Sequence, residues 1–377
     1  MPGDLICAYF TCMKAEESTY RSRFTEKYMQ LFYDAWRNSR FNPLEGAWWL
    51  RTLSRQKKMA GRRMASEGDE LMIPPVMILS VTNQCNLQCK GCYASKRIEQ
   101  GHEELPLERI DHLFSEAAEM GIGVIMIAGG EPLIRPEILW AASAYRDIIF
   151  PVFTNGSMLN SGSISYFKQH RNLVPILSIE GNRHYTDQRR GQGMYDRVIC
   201  SMKQLKRTRR VFGMSVTLTR ENFEEVTHPI WIRNHHKMGS SLFFLVEYVP
   251  QSESDIHLCL TEKQKYELQS RLEILRNQIP ALFVSLPGDE SHYGGCLAAG
   301  RGFVHVSADG SLEPCPFAPY SDINIRNNSL KEALQSKFLG RIRESHHQLT
   351  ESQGGCTLWE NRNWVQAQLD STMAAMG

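Results

Sequence analysis

Three cysteines stand close together in the first third of the chain, directly behind an apolar run. Residues 85–92 read CNLQCKGC, which gives Cys85, Cys89 and Cys92 the spacing CxxxCxxC. Three thiolates on one short loop can each bind one iron of a cubic 4Fe-4S cluster, which leaves the fourth iron without a protein ligand. The spacing therefore predicts an iron–sulfur site whose open iron binds a substrate or cofactor.

Zinc is the alternative occupant of this loop. A structural zinc site needs four closed ligands, which usually come as two CxxC-like pairs. The loop offers three thiolates at an asymmetric spacing, with no histidine nearby. The spacing favours the cluster, and zinc remains the weaker alternative.

Six apolar runs follow one another from residue 76, and each is followed by a segment of helical length. Strands that alternate with helices predict a parallel sheet with right-handed crossovers, and six such units suit a partial barrel. In such barrels the functional groups lie on loops at the carboxyl ends of the strands, where the cysteine loop also stands. The strand-like runs are Val76–Thr82, Gly123–Ala128, Ile148–Thr154, Val174–Ile179, Val211–Leu218 and Leu242–Val249.

Small and polar residues end the second, third and fourth of these runs. The second run leads into AGGEP, where Gly129 and Gly130 allow close backbone approach and Glu131 offers an acceptor for a cationic amine. Residues 154–156 read TNG and residues 178–181 read SIEG. Each motif alone is explained by a turn or a helix cap. Their order along successive strands is what makes them informative.

Together these motifs resemble the radical S-adenosylmethionine (radical SAM) family. The resemblance rests on CxxxCxxC after the first strand and on the three strand-end motifs in the family's order. It implies an α/β fold, a partial (β/α)6 TIM-like barrel. It also implies an enzyme that reductively cleaves S-adenosylmethionine at a 4Fe-4S cluster to a 5'-deoxyadenosyl radical, which abstracts hydrogen from a substrate. An electron donor such as flavodoxin or ferredoxin is then required.

The resemblance also assigns contacts to the cofactor. The segment around Gly129, Gly130 and Glu131 would receive the methionyl ammonium group, and Asn155 would lie at the barrel mouth. Ser178 would contact the ribose or carboxylate side, and Arg190 would donate to the cofactor carboxylate as a fork. At the end of the sixth run, alternation sends Glu247 and Tyr248 to opposite faces, so one of them is expected to point into the barrel. Catalytic side chains are not assigned.

The C-terminal part carries three further cysteines. Cys296 and Cys315 flank Gly310 as C-x13-G-x4-C, and Cys356 follows. This pattern resembles the opening half of the SPASM or twitch extensions, which implies one auxiliary iron–sulfur cluster, expected to be 4Fe-4S. The CxxC that often ends a twitch module is absent, because Trp359 stands three residues beyond Cys356.

The remaining ligand of such a cluster is open. The cluster either has an open iron or takes a ligand from a residue outside the three cysteines. Buried structural cysteines or a zinc site remain the alternatives to a cluster. The candidate fourth ligands are Cys259, His346, His347 and Glu360.

These patterns predict three parts: a helical extension over residues 1–73, the barrel over 74–255 and a small α+β SPASM-like module over 256–377. In the extension, aromatic residues recur every four positions from Tyr20 to Trp36, which is typical of a face packed on a neighbouring domain. Trp48 and Trp49 precede a basic segment, residues 51–63. A solvated helix face is the plain interpretation, and peripheral membrane contact is the alternative.

Composition sets broader limits. The 377 residues carry a formal net charge of +2, so no global charge favours nucleic acid as a partner. No apolar run is long enough to span a membrane and no secretory signal is recognisable, so a cytoplasmic protein with reduced cysteines is expected. The substrate is expected to be a peptide or a small molecule. The alternative function is a non-catalytic iron–sulfur electron carrier or redox sensor, which would not need the strand-end motifs.

Overall fold

The computed structural model describes residues 26, 28–36, 43–68, 71–94, 97, 103–286, 295–349 and 356–375. Within these ranges, no helix has the length and apolar character that crossing a membrane requires. Tyr20 and Phe24 of the predicted aromatic face lie outside the described residues.

One nine-stranded sheet organises the chain, in the order β7-β6-β5-β4-β3-β2-β1-β8-β9. The first eight strands pair in parallel, and β9 pairs with β8 in antiparallel orientation. The sheet is curled and open, with helices on its outer side, which confirms the predicted partial TIM-like barrel. The strands are Val76–Ser80 (β1), Val124–Ala128 (β2), Phe150–Thr154 (β3), Leu173–Ser178 (β4), Gly213–Leu218 (β5), Leu242–Glu247 (β6), Leu282–Leu286 (β7), Phe303–Val306 (β8) and Leu312–Glu313 (β9).

All six predicted strands are present, and their ends differ from the predicted ends by one or two residues. Three further strands come from the C-terminal part, residues 256–377. Strand β7 pairs with β6, and β8 pairs with β1 through Val76 and Phe303. The barrel sheet would otherwise expose unpaired backbone groups along β1 and β6. The C-terminal part is therefore joined to the barrel at both edges of one sheet.

The helices cover the sheet and extend beyond it. They are residues 28–36 (α1), Pro43–Ser66 (α2), Leu107–Met120 (α3), Pro136–Ala144 (α4), Ser161–Gln169 (α5), Arg183–Arg190 (α6), Met194–Arg207 (α7), Phe223–Val226 (α8), Pro229–Lys237 (α9), Glu262–Gln278 (α10), Leu330–Leu334 (α11), Lys337–Glu344 (α12), Thr357–Glu360 (α13) and Arg362–Ala374 (α14).

A short break separates helices α11 and α12. The break falls at Ser336, whose hydroxyl accepts from the Leu339 backbone N–H at 3.0 Å and donates to the Asp322 carboxylate at 2.6 Å. A serine that bonds in this way favours a helix start over a helix interior, because its side chain replaces a backbone partner. The chain therefore turns between α11 and α12.

The aromatic face of α1 packs on the barrel. Tyr28 and Phe32 are buried and join Trp49 of α2 in one hydrophobic cluster with Ile176 and Phe244 of the sheet. Such burial contributes on the order of 1.5 to 3 kcal/mol for each large apolar side chain. The predicted packing face is confirmed for the two α1 residues.

Part of the basic segment in α2 also contacts the barrel. Arg63 is buried and donates to the Gly121 carbonyl at 2.9 Å, and Arg62 donates to the Ala118 carbonyl at 3.1 Å. Both carbonyls belong to the C-terminal end of α3, where the helix dipole favours cations. The solvated-face interpretation is therefore wrong for Arg63.

Candidate functional site

A cavity of about 260 Å³ lies at the carboxyl ends of the barrel strands. Cysteines from both groups line it, although they are separated by more than half of the chain. Six cysteine side chains line the cavity, and they are Cys85, Cys89, Cys92, Cys296, Cys315 and Cys356. The fold therefore brings both predicted metal-ligand sets to one space.

The cysteine loop is anchored to the end of α6. The Lys90 N–H donates to the Arg189 carbonyl at 2.9 Å, and the Cys92 N–H donates to the Cys89 carbonyl at 3.3 Å. Burial raises the pKa of the Cys89 thiol, while the nearby guanidinium groups of Arg190 and Arg189 act in the opposite direction. The loop thus holds partly buried thiols next to two cations.

The thiols of this loop fit a cluster in their number and placement. Three partly exposed thiols open into one cavity, and each cysteine of a 4Fe-4S site binds a different iron. Among the described residues, no group of three His, Cys, Asp or Glu side chains could hold a single metal ion. A cubic cluster does not require such convergence, because its ligands approach from different corners.

The Gly-Gly loop after β2 lies directly against the start of the cysteine loop. The Gly130 N–H donates to the Thr82 carbonyl at 2.7 Å, and the Glu131 N–H donates to the Gln84 carbonyl at 2.9 Å. A Cβ atom on Gly130 would lie 2.0 Å from the Gln84 carbonyl oxygen. Glycine at this position therefore permits the close approach of the two loops.

Gly130→Ala is expected to destabilise the protein by about 1 to 3 kcal/mol, because the added methyl group overlaps a backbone oxygen that cannot rotate away. Denaturant unfolding measures the change. Gly61→Ala is the matched control, since nothing lies within 4 Å of a Cβ atom there and position 61 is helical. The control is expected to gain up to about 1 kcal/mol. Equal effects of the two variants would contradict the packing argument.

Glu131 is fully buried and does not line the cavity. Its carboxylate accepts from the Thr154 hydroxyl at 2.8 Å and from the backbone N–H groups of Leu133 at 3.1 Å and Asn155 at 2.8 Å. Burial raises the pKa of this carboxyl group, and the three hydrogen bonds oppose the rise. In this arrangement Glu131 ties the loop after β2 to the loop after β3. Its contact with a ligand amine stays a prediction.

The other predicted cofactor contacts line the cavity. They are Gly129, Gly130, Asn155, Ser178 and Arg190. The Asn155 amide donates to the Asn86 side chain at 2.9 Å, which connects the loop after β3 to the cysteine loop. The carboxyl ends of β1, β2, β3 and β4 therefore all contribute to the wall of this cavity.

Sequence reasoning missed Glu180, the partner of Arg190. The Glu180 carboxylate is buried and accepts from Arg190 Nε at 2.7 Å, from Arg189 Nη1 at 2.6 Å and from the Thr217 N–H at 3.0 Å. Burial alone would lower the pKa of Arg190, but Glu180 and the Cys89 thiol raise it. The signal was present in SIEG, where a carboxylate follows Ser178 by two residues at a strand end.

A comparison with known protein families identifies the family to which many of the residues that form this cavity belong. The sequence model of the Radical SAM superfamily matches residues 79–228, which include the cysteine loop and the first three strand-end motifs. These residues belong to the radical SAM superfamily. Members of this superfamily are enzymes that use a 4Fe-4S cluster and S-adenosylmethionine, so the matched segment implies both. An enzyme is thereby supported over the electron carrier.

Two curated relatives come from Methanosarcina barkeri (strain Fusaro / DSM 804). An "AdoMet-dependent heme synthase" is 26% identical over 310 residues, which cover 75% of this chain and 88% of the relative. An "Fe-coproporphyrin III synthase" is 24% identical over 177 residues, 46% of this chain and 44% of the relative. This chain therefore spans less than half of the second relative.

A solved structure shares the fold. Streptococcus suis SuiB bound to precursor peptide SuiA has a TM-score of 0.59 and 17% sequence identity, covering 79% of this chain and 71% of that chain. At this identity the likeness concerns the fold. It extends beyond the radical SAM match, because 79% of the chain is more than residues 79–228.

Glu247 and Tyr248 both line the cavity at the carboxyl ends of the barrel strands, and both are buried. The expectation that alternation separates them is wrong, because β6 ends at Glu247 and Tyr248 lies beyond the strand. The Tyr248 ring packs on the cysteine loop, where a Cβ atom on Gly91 would lie 2.4 Å from the phenol oxygen. Gly91 therefore makes room for this ring.

The Tyr248 hydroxyl has no hydrogen-bond partner among the described residues. Burial raises the pKa of Tyr248 to about 12, so the phenol is neutral at physiological pH. A buried hydroxyl without a partner costs about 1 to 3 kcal/mol. Tyr248→Phe is therefore expected to leave the free energy of unfolding of the ligand-free protein unchanged or to raise it by about 1 kcal/mol. A loss of more than about 1 kcal/mol in denaturant unfolding would contradict the unpartnered state.

Proposed function

We propose that Cys85, Cys89 and Cys92 hold a 4Fe-4S cluster with one open iron, at which S-adenosylmethionine binds. The observation that carries the proposal is that all three thiols open into one cavity together with the strand-end glycines Gly129 and Gly130. When bound, the cluster and S-adenosylmethionine supply a 5'-deoxyadenosyl radical that removes a hydrogen atom from the substrate.

The residues that line the cavity would bind the cofactor, orient it and enclose the reacting atoms. Gly129 and Gly130 let backbone approach a ligand without side-chain hindrance, and Asn155 and Ser178 offer hydrogen-bonding groups at neighbouring strand ends. Arg190 is held by Glu180, so its guanidinium group is fixed before a ligand carboxylate arrives. The lining of the cavity is mostly apolar, which limits the access of water to the reacting atoms.

We also propose that Cys296, Cys315 and Cys356 hold one auxiliary iron–sulfur cluster. This proposal is supported by the position of the three cysteines, which line the same cavity as the first three thiols. None of the four candidate fourth ligands, which are Cys259, His346, His347 and Glu360, is part of the described cavity lining. That placement favours an iron open to the substrate over a fourth protein ligand. The division into residues 1–73, 74–255 and 256–377 belongs to this proposal.

The proposed substrate is a peptide or a small molecule, and a flavodoxin or ferredoxin is proposed as electron donor. SuiB, whose fold this chain shares, is bound to a precursor peptide. The two curated relatives are named for heme and iron coproporphyrin III, which supports a tetrapyrrole as the small-molecule candidate.

The test uses the anaerobically reconstituted full-length chain with dithionite and S-adenosylmethionine. Release of 5'-deoxyadenosine is expected, and its quantity is measured by liquid chromatography. The Cys85→Ala, Cys89→Ala, Cys92→Ala triple variant, treated in parallel, is expected to release none. A fully iron-loaded protein that releases no 5'-deoxyadenosine would overturn the proposal.

A further inference from the structure

The cavity that both cysteine groups line is called the cysteine cavity here. A second cavity, of about 680 Å³, adjoins it, and the volume of this second cavity is within the range of ligand sites. The two cavities share Tyr93, Gln251, Pro316 and Phe317. The second cavity is bounded by the loop after β6, the β8–β9 hairpin and α14. A ligand that fills it would therefore reach the space between the two cysteine groups.

Two aromatic rings form the border between the cavities. The rings of Tyr93 and Phe317 meet edge to face with centroids 5.4 Å apart. Tyr93 follows Cys92 directly, and Phe317 stands two residues after Cys315. A substrate that passes this border would therefore lie next to both cysteine groups.

The side chains that line the second cavity carry one more negative charge than positive charges. Three carboxylate residues line it, Glu253, Asp309 and Glu313, against the two arginines Arg97 and Arg362. Each arginine is already paired with a carboxylate: Arg97 with Glu313 at 2.7 Å and Arg362 with Glu253 at 3.0 Å. One carboxylate, that of Asp309, is in excess.

Asp309 is held in position by hydroxyl groups. Its carboxylate accepts hydrogen bonds from Ser307 and Ser311 in the hairpin turn. Burial alone would raise the pKa of Asp309, but these bonds lower it below its ordinary value, so the group is ionised at neutral pH. The second cavity therefore presents a fixed negative charge.

Aromatic and amide groups complete the lining. Tyr320 and Trp359 contribute rings, and the Arg362 guanidinium group lies 4.7 Å from the Trp359 ring centroid. Gln251 and Gln366 contribute side-chain amides, which both donate and accept. A polypeptide segment presents donors, acceptors and side chains to match such a surface. A tetrapyrrole with several carboxylates would instead meet a surface with excess negative charge.

We propose that the second cavity binds a segment of a peptide substrate that carries a lysine or arginine near Asp309, and that the substrate enters the cysteine cavity past Tyr93 and Phe317. This inference rests on the proposed function for its substrate class. It adds a binding site outside the cysteine cavity and a charge preference. Basic peptides are favoured, and polyanionic substrates are disfavoured.

A random-sequence nonapeptide library tests the site without knowledge of the substrate. The library is incubated with the anaerobically reconstituted holoenzyme, and retained peptides are sequenced by mass spectrometry. Lysine and arginine are expected to be enriched by about two- to fivefold over the input, as one partly exposed charge pair supplies. Asp309→Asn is expected to remove this enrichment.

Gln366→Trp and Asn363→Trp form a matched pair on α14. Both positions are exposed, but only Gln366 lines the second cavity. Gln366→Trp is expected to fill the cavity and abolish peptide retention, whereas Asn363→Trp retains peptides as the parent chain does. Equal retention by the two variants would overturn the site.

Iron coproporphyrin III is the competing probe. Tight retention of this tetrapyrrole that Gln366→Trp abolishes, without enrichment of basic peptides, would overturn the peptide assignment. The release of 5'-deoxyadenosine is measured on the same holoenzyme preparation. If no 5'-deoxyadenosine is released, the proposed function is wrong. Whether the second cavity binds basic peptides is judged separately, from the peptides that are retained.

Discussion

Replacing Cys89 by alanine is expected to lower the rate of 5'-deoxyadenosine formation by at least about a hundredfold, because losing even a residue that supports a metal ligand indirectly typically costs about 10- to 100-fold. Cys89 lies in the middle of the cysteine loop and lines the cavity. In the proposed site, Cys89 would hold one iron of the cluster, and alanine supplies no ligand in its place. Anaerobic turnover with dithionite measures the rate.

Cys200→Ala is the control for this loss. Cys200 is exposed on α7 and lines neither of the two cavities. Its replacement is expected to leave both the iron content and the rate of 5'-deoxyadenosine formation unchanged. A Cys89→Ala variant that retains the rate of the Cys200→Ala variant would show that the loop is not the cluster site.

Arg97→Met is expected to lower the free energy of unfolding by about 3 to 5 kcal/mol, because it leaves a buried carboxylate without its charged partner. The Arg97 guanidinium group donates to both Glu313 carboxylate oxygens, at 2.8 and 2.7 Å, and their side chains are 11% and 5% exposed. Arg97 also donates to the Pro316 carbonyl at 3.0 Å, next to Cys315. Denaturant unfolding of the apoprotein measures the loss.

A second substitution separates the charge from the packing. His305 Nδ1 lies 2.7 Å from the same Glu313 carboxylate, and His305 Nε2 lies 2.8 Å from the Ser80 hydroxyl. Burial lowers the pKa of His305, so the imidazole is neutral and does not replace the guanidinium charge. Adding Glu313→Gln to Arg97→Met is therefore expected to restore a substantial part of the stability. A single Arg97→Met variant that loses less than about 1 kcal/mol would contradict a buried ion pair.

The sequence predicts the strands and the first cysteine group well because both signals are local. A buried parallel strand is a continuous apolar run, so the six barrel strands are found to within one or two residues. The spacing of Cys85, Cys89 and Cys92 requires no knowledge of the fold. The order of the strand-end motifs added the expectation that they meet at one edge of the sheet, where Asn155 and Ser178 indeed line one cavity.

Long-range partners are what the sequence does not predict. Glu313 is 216 positions from Arg97, and Ser80 is 225 positions from His305, so no local pattern marks either pair. The burial of Arg63 depends on the carbonyl end of a different helix. The meeting of the two cysteine groups depends on the pairing of β8 with β1, which adds the C-terminal hairpin to the barrel edge.

The most direct test of the account is Mössbauer spectroscopy on an iron-57 sample in which Cys296, Cys315 and Cys356 are replaced by alanine, so that only the loop of Cys85, Cys89 and Cys92 can hold a cluster. One 4Fe-4S cluster per chain is expected, with a single iron site whose isomer shift changes when S-adenosylmethionine is added. The account would be contradicted by a sample that holds no cubic cluster. It would also be contradicted by a cluster in which the isomer shifts of all four irons stay the same when S-adenosylmethionine is added.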